Sequence, residues 1–335
     1  MSCEDKTLVI IDTNKIRNNF EWESNYSKFE PKGDLLKLID FIEKNNLQKH
    51  IFIGIPEIVL EEFINTRCEN FKKIVDRLKT DIKKLETMPC CDFSKIILPG
   101  EDFDYREFIK KKTRKFIYRK KFILILKLKK SNYKETLEIL IEKATQKKKP
   151  FNESGKGFKD ALIWETILNL KDINKYSTIF VLSENKKDFN YKLKEEFMKK
   201  FSKELNLEVS TETLIVSLEN IYGIYIKYPN ILSHVKTDYF KEQLKQYLID
   251  NTDMEINNFE IKDILRIDKI IDQDIEDFEL EEIYGENNFE NLKKISITFK
   301  NNSSEYDCEI IFDSQVNEIV TLNYNEKGED VNEKN

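Results

Sequence analysis

The chain has 335 residues, 35% of them charged and 40% hydrophobic, with a formal net charge of −6. That length supports two domains and a sizeable core, and the near balance of charge leaves nucleic acid and protein both open as partners. Five scattered cysteines with no C-x-x-C pair argue against a disulfide framework or zinc cluster, two histidines make a His-based triad improbable, and no apolar run approaches a membrane span.

The stretch Ser2-Cys3-Glu4-Asp5-Lys6 is polar and the apolar run after it is short, so no secretory signal is expected and the chain reads as cytoplasmic. Thr7 to Ile11 is a continuous, largely β-branched apolar run, the pattern of a buried parallel strand. Asp34 to Asn45 has helical spacing in its leucines and isoleucines. His50 to Ile55 reads as a second buried strand, stopped by Pro56, which suits the start of a helix through Val59, Leu60, Phe63 and Ile64. Residues from about 68 to 149 break this alternation and read as a helical insertion. Within it, Arg106 to Lys149 carries 17 Lys or Arg against 4 acids.

The alternation resumes at Gly157, with a helix over Lys159 to Glu165 in which Trp164 is expected to be core. Ser177 to Leu182 is a third strand, Tyr191 to Leu205 a helix, Leu207 to Val209 a short strand, and Glu212 to Ile221 a closing helix or strand. The order strand, helix, strand, helix predicts an α/β, doubly wound, mostly parallel sheet over residues 1–220. Residues 221–326 read as a helix (Asp238 to Leu248) followed by an antiparallel β-rich module. Its strands are expected around Phe259 to Ile261, Phe278 to Leu280, Ile295 to Phe299, Glu309 to Phe312 and Ile319 to Leu322. Asp250 to Glu290 carries 15 acids against 3 Lys or Arg. Residues 327–335 read as a disordered tail.

In an open parallel sheet, ligands bind beyond the carboxyl ends of the strands, where strand order reverses. Asp12 and Asp188 follow predicted strands, Asp160 opens a helix on the same edge, and Glu62 lies in the helix after Pro56. Four carboxylates meeting in one cleft would repel one another unless a cation joined them. An all-oxygen set suits Mg²⁺ or Mn²⁺, and such an ion can activate water for attack on a phosphodiester. Glu61 and Glu62 are adjacent, and the spacing after Pro56 favours Glu62.

Taken together, Asp12-Thr13-Asn14 after the first strand, Pro56 to Glu62-Phe63, Lys159-Asp160-Ala161, and Ser183-x-Asn185-x-x-Asp188-Phe189 resemble the PIN-domain nucleases. Pro150-Phe151 ahead of the Gly157 to Glu165 stretch is similar to a subgroup with a long helical insertion. The resemblance covers roughly residues 5 to 215. It implies that Asp12, Glu62, Asp160 and Asp188 are the catalytic, metal-holding acids and that Asn14 and Ser183 help to hold them. It also implies RNA as the usual substrate, cut to 5′-phosphate and 3′-hydroxyl ends. Asn185 is read as a turn residue that orients its loop. A toxin or phage-defence setting suits a nuclease of this kind.

The basic segment predicts phosphate contacts through Lys110, Lys111, Lys112, Arg114, Lys115, Arg119, Lys120 and Lys121, with Lys159 joining them. Tyr105, Phe116, Tyr118 and Phe122 are interleaved for base stacking. The alternatives are a DNA-directed nuclease and a nucleic-acid-binding or scaffolding protein whose site has decayed. The C-terminal module is expected to serve as a surface for a second copy of the chain or for a regulatory protein.

Overall fold

The computed structural model describes residues 6–16, 25–88, 96–100, 102–151, 156–184, 191–251, 261, 263–272, 291–300 and 305–326. Strand β1 (Thr7–Ile11) is buried at every position and forms the middle of a five-stranded sheet. It pairs in parallel with β2 (Ile51–Pro56) on one side and β4 (Thr178–Leu182) on the other. β3 (Ile123–Leu126) and β5 (Asn206–Glu208) close the two edges, so the order is β3-β2-β1-β4-β5 and all pairings are parallel. Strands with helices over both faces bury both sides, so they are written as unbroken apolar runs rather than as alternation. The order reverses between β1 and β4, and that gap is where such a sheet presents a cleft.

The helices supply the cover. α1 (Gly33–Lys44) buries Leu35, Leu38, Ile39 and Ile42, a 3.6-residue stripe. α2 (Glu57–Leu85) buries Val59, Leu60, Phe63, Ile64 and Arg67 in its first half and becomes polar beyond it, with Leu78 exposed. α3 (Tyr105–Arg119) is capped by Asp104, whose Oδ1 accepts from the Glu107 N–H at 2.9 Å. α4 (Tyr133–Thr145) and α5 (Phe158–Leu168) precede β4, and α6 (Tyr191–Phe201) leads to β5. Trp164 of α5 is fully buried, and its indole N–H donates to Glu196 Oε2 at 2.7 Å. Lys143 Nζ joins Glu165 at 2.8 Å and Glu196 at 2.9 Å beneath it. Burial works against the Lys143 ammonium, but the hydrogen bonds to the two glutamates outweigh it and raise its pKa above the ordinary lysine value.

The α/β architecture agrees with the expectation, and one part of it needs correcting. The 68–149 stretch is not purely helical: β3 lies inside it, in register with β2 from Ile53 with Ile123 to Pro56 with Leu126. The run is short and flanked by lysines, so it reads as a break in a basic helix, whereas charged flanks suit a sheet edge. The closing element, open between helix and strand, is a helix, α7 (Thr211–Lys227).

The chain divides into two compact units, Cys3–Leu218 and a second over Glu219–Asn335. In the second, α8 (Pro229–Val235) and α9 (Asp238–Asn251) precede an antiparallel meander. Its strands run in the order β6 (Asp263–Asp272), β7 (Leu292–Lys300), β8 (Glu305–Asp313), β9 (Glu318–Glu326). Ile295, Ile297 and Phe299 alternate along β7, as do Cys308, Ile310 and Phe312 along β8, and together they meet Phe240, Leu244 and Leu248 of α9. β6 was not expected, because its DILRIDKIID sequence mixes charges into the apolar positions, and its register with β7 shifts twice. Ile261 is buried outside any strand, while positions 259, 260 and 278–280 and the tail from 327 lie outside the described residues. No helix among the described residues is long and apolar enough to cross a membrane.

Candidate active site

β1 delivers Asp12 to the switch point. The Asp12 N–H still bonds to Leu182 O across the β1–β4 gap at 3.1 Å. The chain then leaves the sheet in a 3₁₀ turn, Thr13–Lys15, which Asp12 caps. Asp12 Oδ1 accepts from the Thr13 N–H at 2.6 Å, and Oδ2 accepts from Ser183 Oγ at 2.8 Å. Both Asp12 and Ser183 are only 5% exposed. Ser183 follows β4 directly and is fixed in turn by its N–H bond to Glu208 O at 2.9 Å. A short carboxylate side chain with a donor on each oxygen has one orientation.

Thr13 extends the network to α2. Its Oγ1 donates to Glu62 Oε2 at 2.8 Å, and the other oxygen, Oε1, takes Lys159 Nζ at 2.7 Å. Lys159 is the second residue of α5, and the half-buried Asp160 is the third. A carboxylate in the first turn of a helix is favoured by the positive end of the macrodipole. The helix starts there because Gly157 adopts φ +122, and a Cβ at that position would lie 2.6 Å from Pro150 O. Strand end, turn, α2 and α5 thus share one connected set of side chains.

The two adjacent glutamates part company. Glu62 joins the Asp12 turn. Glu61 Oε1 pairs with Lys110 at 2.8 Å and its Oε2 with Arg106 at 2.6 Å. The hydrogen bond from Lys110, set against partial burial, holds the Glu61 carboxyl below its ordinary pKa. Asn14 is exposed in the 3₁₀ turn, and Thr13, the residue before it, makes the bond to Glu62. Asn185 and Asp188 lie outside the described residues.

One further group beside the site escapes a sequence reading. Lys15 is buried, and its Nζ bonds to Asp34 at 3.0 Å and to Glu184 at 2.9 Å. Burial pulls its pKa down, but the bonds to Glu184 and Asp34 more than compensate, and the ammonium is stabilised. A lysine in a three-residue turn carries no periodic signal, so it reads as solvated; its burial arises only when α1 and the end of β4 close over it.

Among the described residues no three acids, histidines or cysteines come close enough together to hold an ion. The chemistry of the donors nonetheless fits a hard divalent cation: Asp12, Glu62 and Asp160 offer oxygen only. A cationic group, the Lys159 ammonium, already sits on Glu62.

The basic segment is partly committed to structure. Lys110 is tied to Glu61, Lys120 pairs with Glu43, and Lys112 lies over the Phe108 ring. Lys111, Arg114, Lys115, Arg119 and Lys121 are exposed. Of the four interleaved aromatics only Tyr118 presents its ring to solvent, at 87% exposure. Tyr105 and Phe122 are core, and half-buried Phe116 packs on Phe29. The stacking expectation therefore reduces to one residue, because the aromatic spacing served the inner stripe of α3 rather than its outer face.

The family model described as PIN domain matches residues 9–189, more than half of the chain. No curated protein and no solved structure matches.

Proposed function

The chain belongs to the PIN-domain family of nucleases, and from that membership we propose that it is a metal-dependent endoribonuclease whose site acids are Asp12, Glu62, Asp160 and Asp188. The observation that carries this reading is the unbroken hydrogen-bonded path Ser183–Asp12–Thr13–Glu62–Lys159 beside the sheet's switch point, with Asp160 next to Lys159 in the chain. Asp12, Glu62 and Asp160, with Asp188, would hold Mg²⁺ or Mn²⁺. Such an ion supplies Lewis-acid polarisation of the phosphodiester and a nucleophilic water when bound.

The chain's own side chains do the positioning. Ser183 and the Thr13 N–H hold Asp12 in one rotamer, and Thr13 Oγ1 holds Glu62. Lys159 offsets the charge of Glu62 and is within reach of a phosphate oxygen entering the cleft. The exposed cations Lys111, Arg114, Lys115, Arg119 and Lys121 give the same unit a surface for the sugar–phosphate backbone, which positions a strand without reading its sequence.

The test is cleavage of labelled single-stranded RNA and DNA with Mn²⁺, beside Asp12→Asn and Asp160→Asn. RNA is expected to be cut to 5′-phosphate and 3′-hydroxyl ends, with both variants reduced at least ~100-fold. Cleavage at full rate in both variants would remove the site assignment, and preferential cleavage of DNA would move the substrate.

A further inference from the structure

An apolar groove of about 440 Å³ lies between the starts of α2, α4 and α5, and the network above does not use it. Ile58, Leu137, Leu140 and Leu162 form its floor and walls, and Phe158 and Tyr133 also line it. The two rings are 53% and 49% exposed. Phe158 immediately precedes Lys159 and Asp160, and Glu61, next to Glu62, also lines the groove. The acids on its rim are neutralised: Glu57 pairs with Lys127, and Glu61 with Arg106 and Lys110.

We propose that this groove is a nucleobase subsite, which takes one unstacked base of a single-stranded nucleic acid against Phe158 and Tyr133 while the neighbouring phosphate lies at Lys159 and the acids. The proposal rests on the nuclease reading and adds the form of the substrate. Three features point to a base. Its volume falls in the range of about 300–1,000 Å³ usual for small-molecule sites. Half-exposed aromatic rings in an apolar slot suit the face of a base, and stacking of this kind is indifferent to sequence. Cations at the rim, paired with acids they can leave, suit the phosphates on either side. A base inside a duplex is stacked on both faces and cannot enter without being extruded, so the groove selects single strands or unpaired nucleotides.

The test measures binding of the full chain to a labelled single-stranded RNA oligonucleotide in EDTA, where no cleavage occurs. The panel also holds the same strand with one abasic position moved along it, and the duplex. Wild type should bind the intact strand best and lose affinity at one abasic register. Phe158→Ala should bind the intact strand about 5- to 150-fold more weakly, the factor for losing one base–aromatic stack, and should no longer distinguish the abasic strands. Phe158→Trp should retain both properties, and Val216→Ala, exposed on α7 and not among the groove's lining residues, should match wild type. If Phe158→Ala does not fold, Leu137→Ser carries the same comparison. Equal affinity of wild type for intact and abasic strands, or an unchanged Phe158→Ala, overturns the subsite. Cleavage in Mn²⁺ is scored separately. Wild-type binding with the abasic register but without cleavage keeps the subsite and removes the nuclease. Cleavage without that register does the reverse.

Discussion

Ser183→Ala should destabilise the protein and impair it, because Ser183 donates one of the hydrogen bonds that hold Asp12. The bond is 2.8 Å long, its acceptor is a carboxylate, and both residues are 5% exposed. A hydrogen bond to a charged group with little access to water contributes about 1.5–3 kcal/mol. For a cooperative unit of this size each kcal/mol moves the midpoint by about 2–4 °C, so the apo variant should melt about 3–12 °C below wild type. The freed carboxylate can rotate, and loss of a partner that orients a metal-holding group costs about 10- to 100-fold in metal affinity or activity. Calorimetric melting in EDTA reads the first effect, and Mn²⁺ titration the second. Ser177→Ala is the control: its Oγ also donates, to Lys6 O at 3.2 Å, but in an exposed position, and it should move the midpoint by less than about 2 °C. A Ser183→Ala midpoint within about 1 °C of wild type, together with unchanged Mn²⁺ affinity, would refute the reasoning.

Lys143→Met should be among the most damaging changes, since it strands the buried Glu165; removing one partner of a buried pair costs about 3–5 kcal/mol. Thermal melting checks it, and adding Glu165→Leu should recover part of the loss. Gly157→Ala should cost about 1–3 kcal/mol through its φ of +122 and the close Pro150 O, and it should reduce cleavage as well, because Asp160 opens the same helix. His234 gives a pH dependence. Burial lowers its pKa below the ordinary 6.5, and its Nε2 is buried without a hydrogen-bond partner among the described residues. The unfolded chain therefore takes up this proton at higher pH than the folded one, and the contribution to stability is complete above 6.5 and lost as pH falls through the folded value. Melting from pH 7.5 down to 5 should show this loss, and His234→Phe should flatten it.

The parallel sheet was legible because its strands are buried on both faces, and Thr7 to Ile11 and Thr178 to Leu182 are therefore continuous apolar runs. β3 was not, because five apolar residues between Lys121 and Lys127 read equally well as a helix fragment, and only pairing with β2 distinguishes them. The aromatic residues of the basic segment misled for a related reason: composition marks a helix as basic and aromatic but does not say which aromatics face inward.

Sequence by itself determined the fold class, and it placed Asp12 after a strand and Asp160 in the first turn of a helix. These are local properties, written in the period of the apolar residues and the chemistry at their boundaries. Tertiary structure alone decided that Glu62 turns to Thr13 while Glu61 turns to Arg106 and Lys110. It also buried Lys15 between Asp34 and Glu184, and opened a groove beside Phe158. Neighbouring residues on a helix point roughly 100° apart, so which one reaches a distant partner depends on how the helix docks, and docking is set by contacts between segments far apart in the chain.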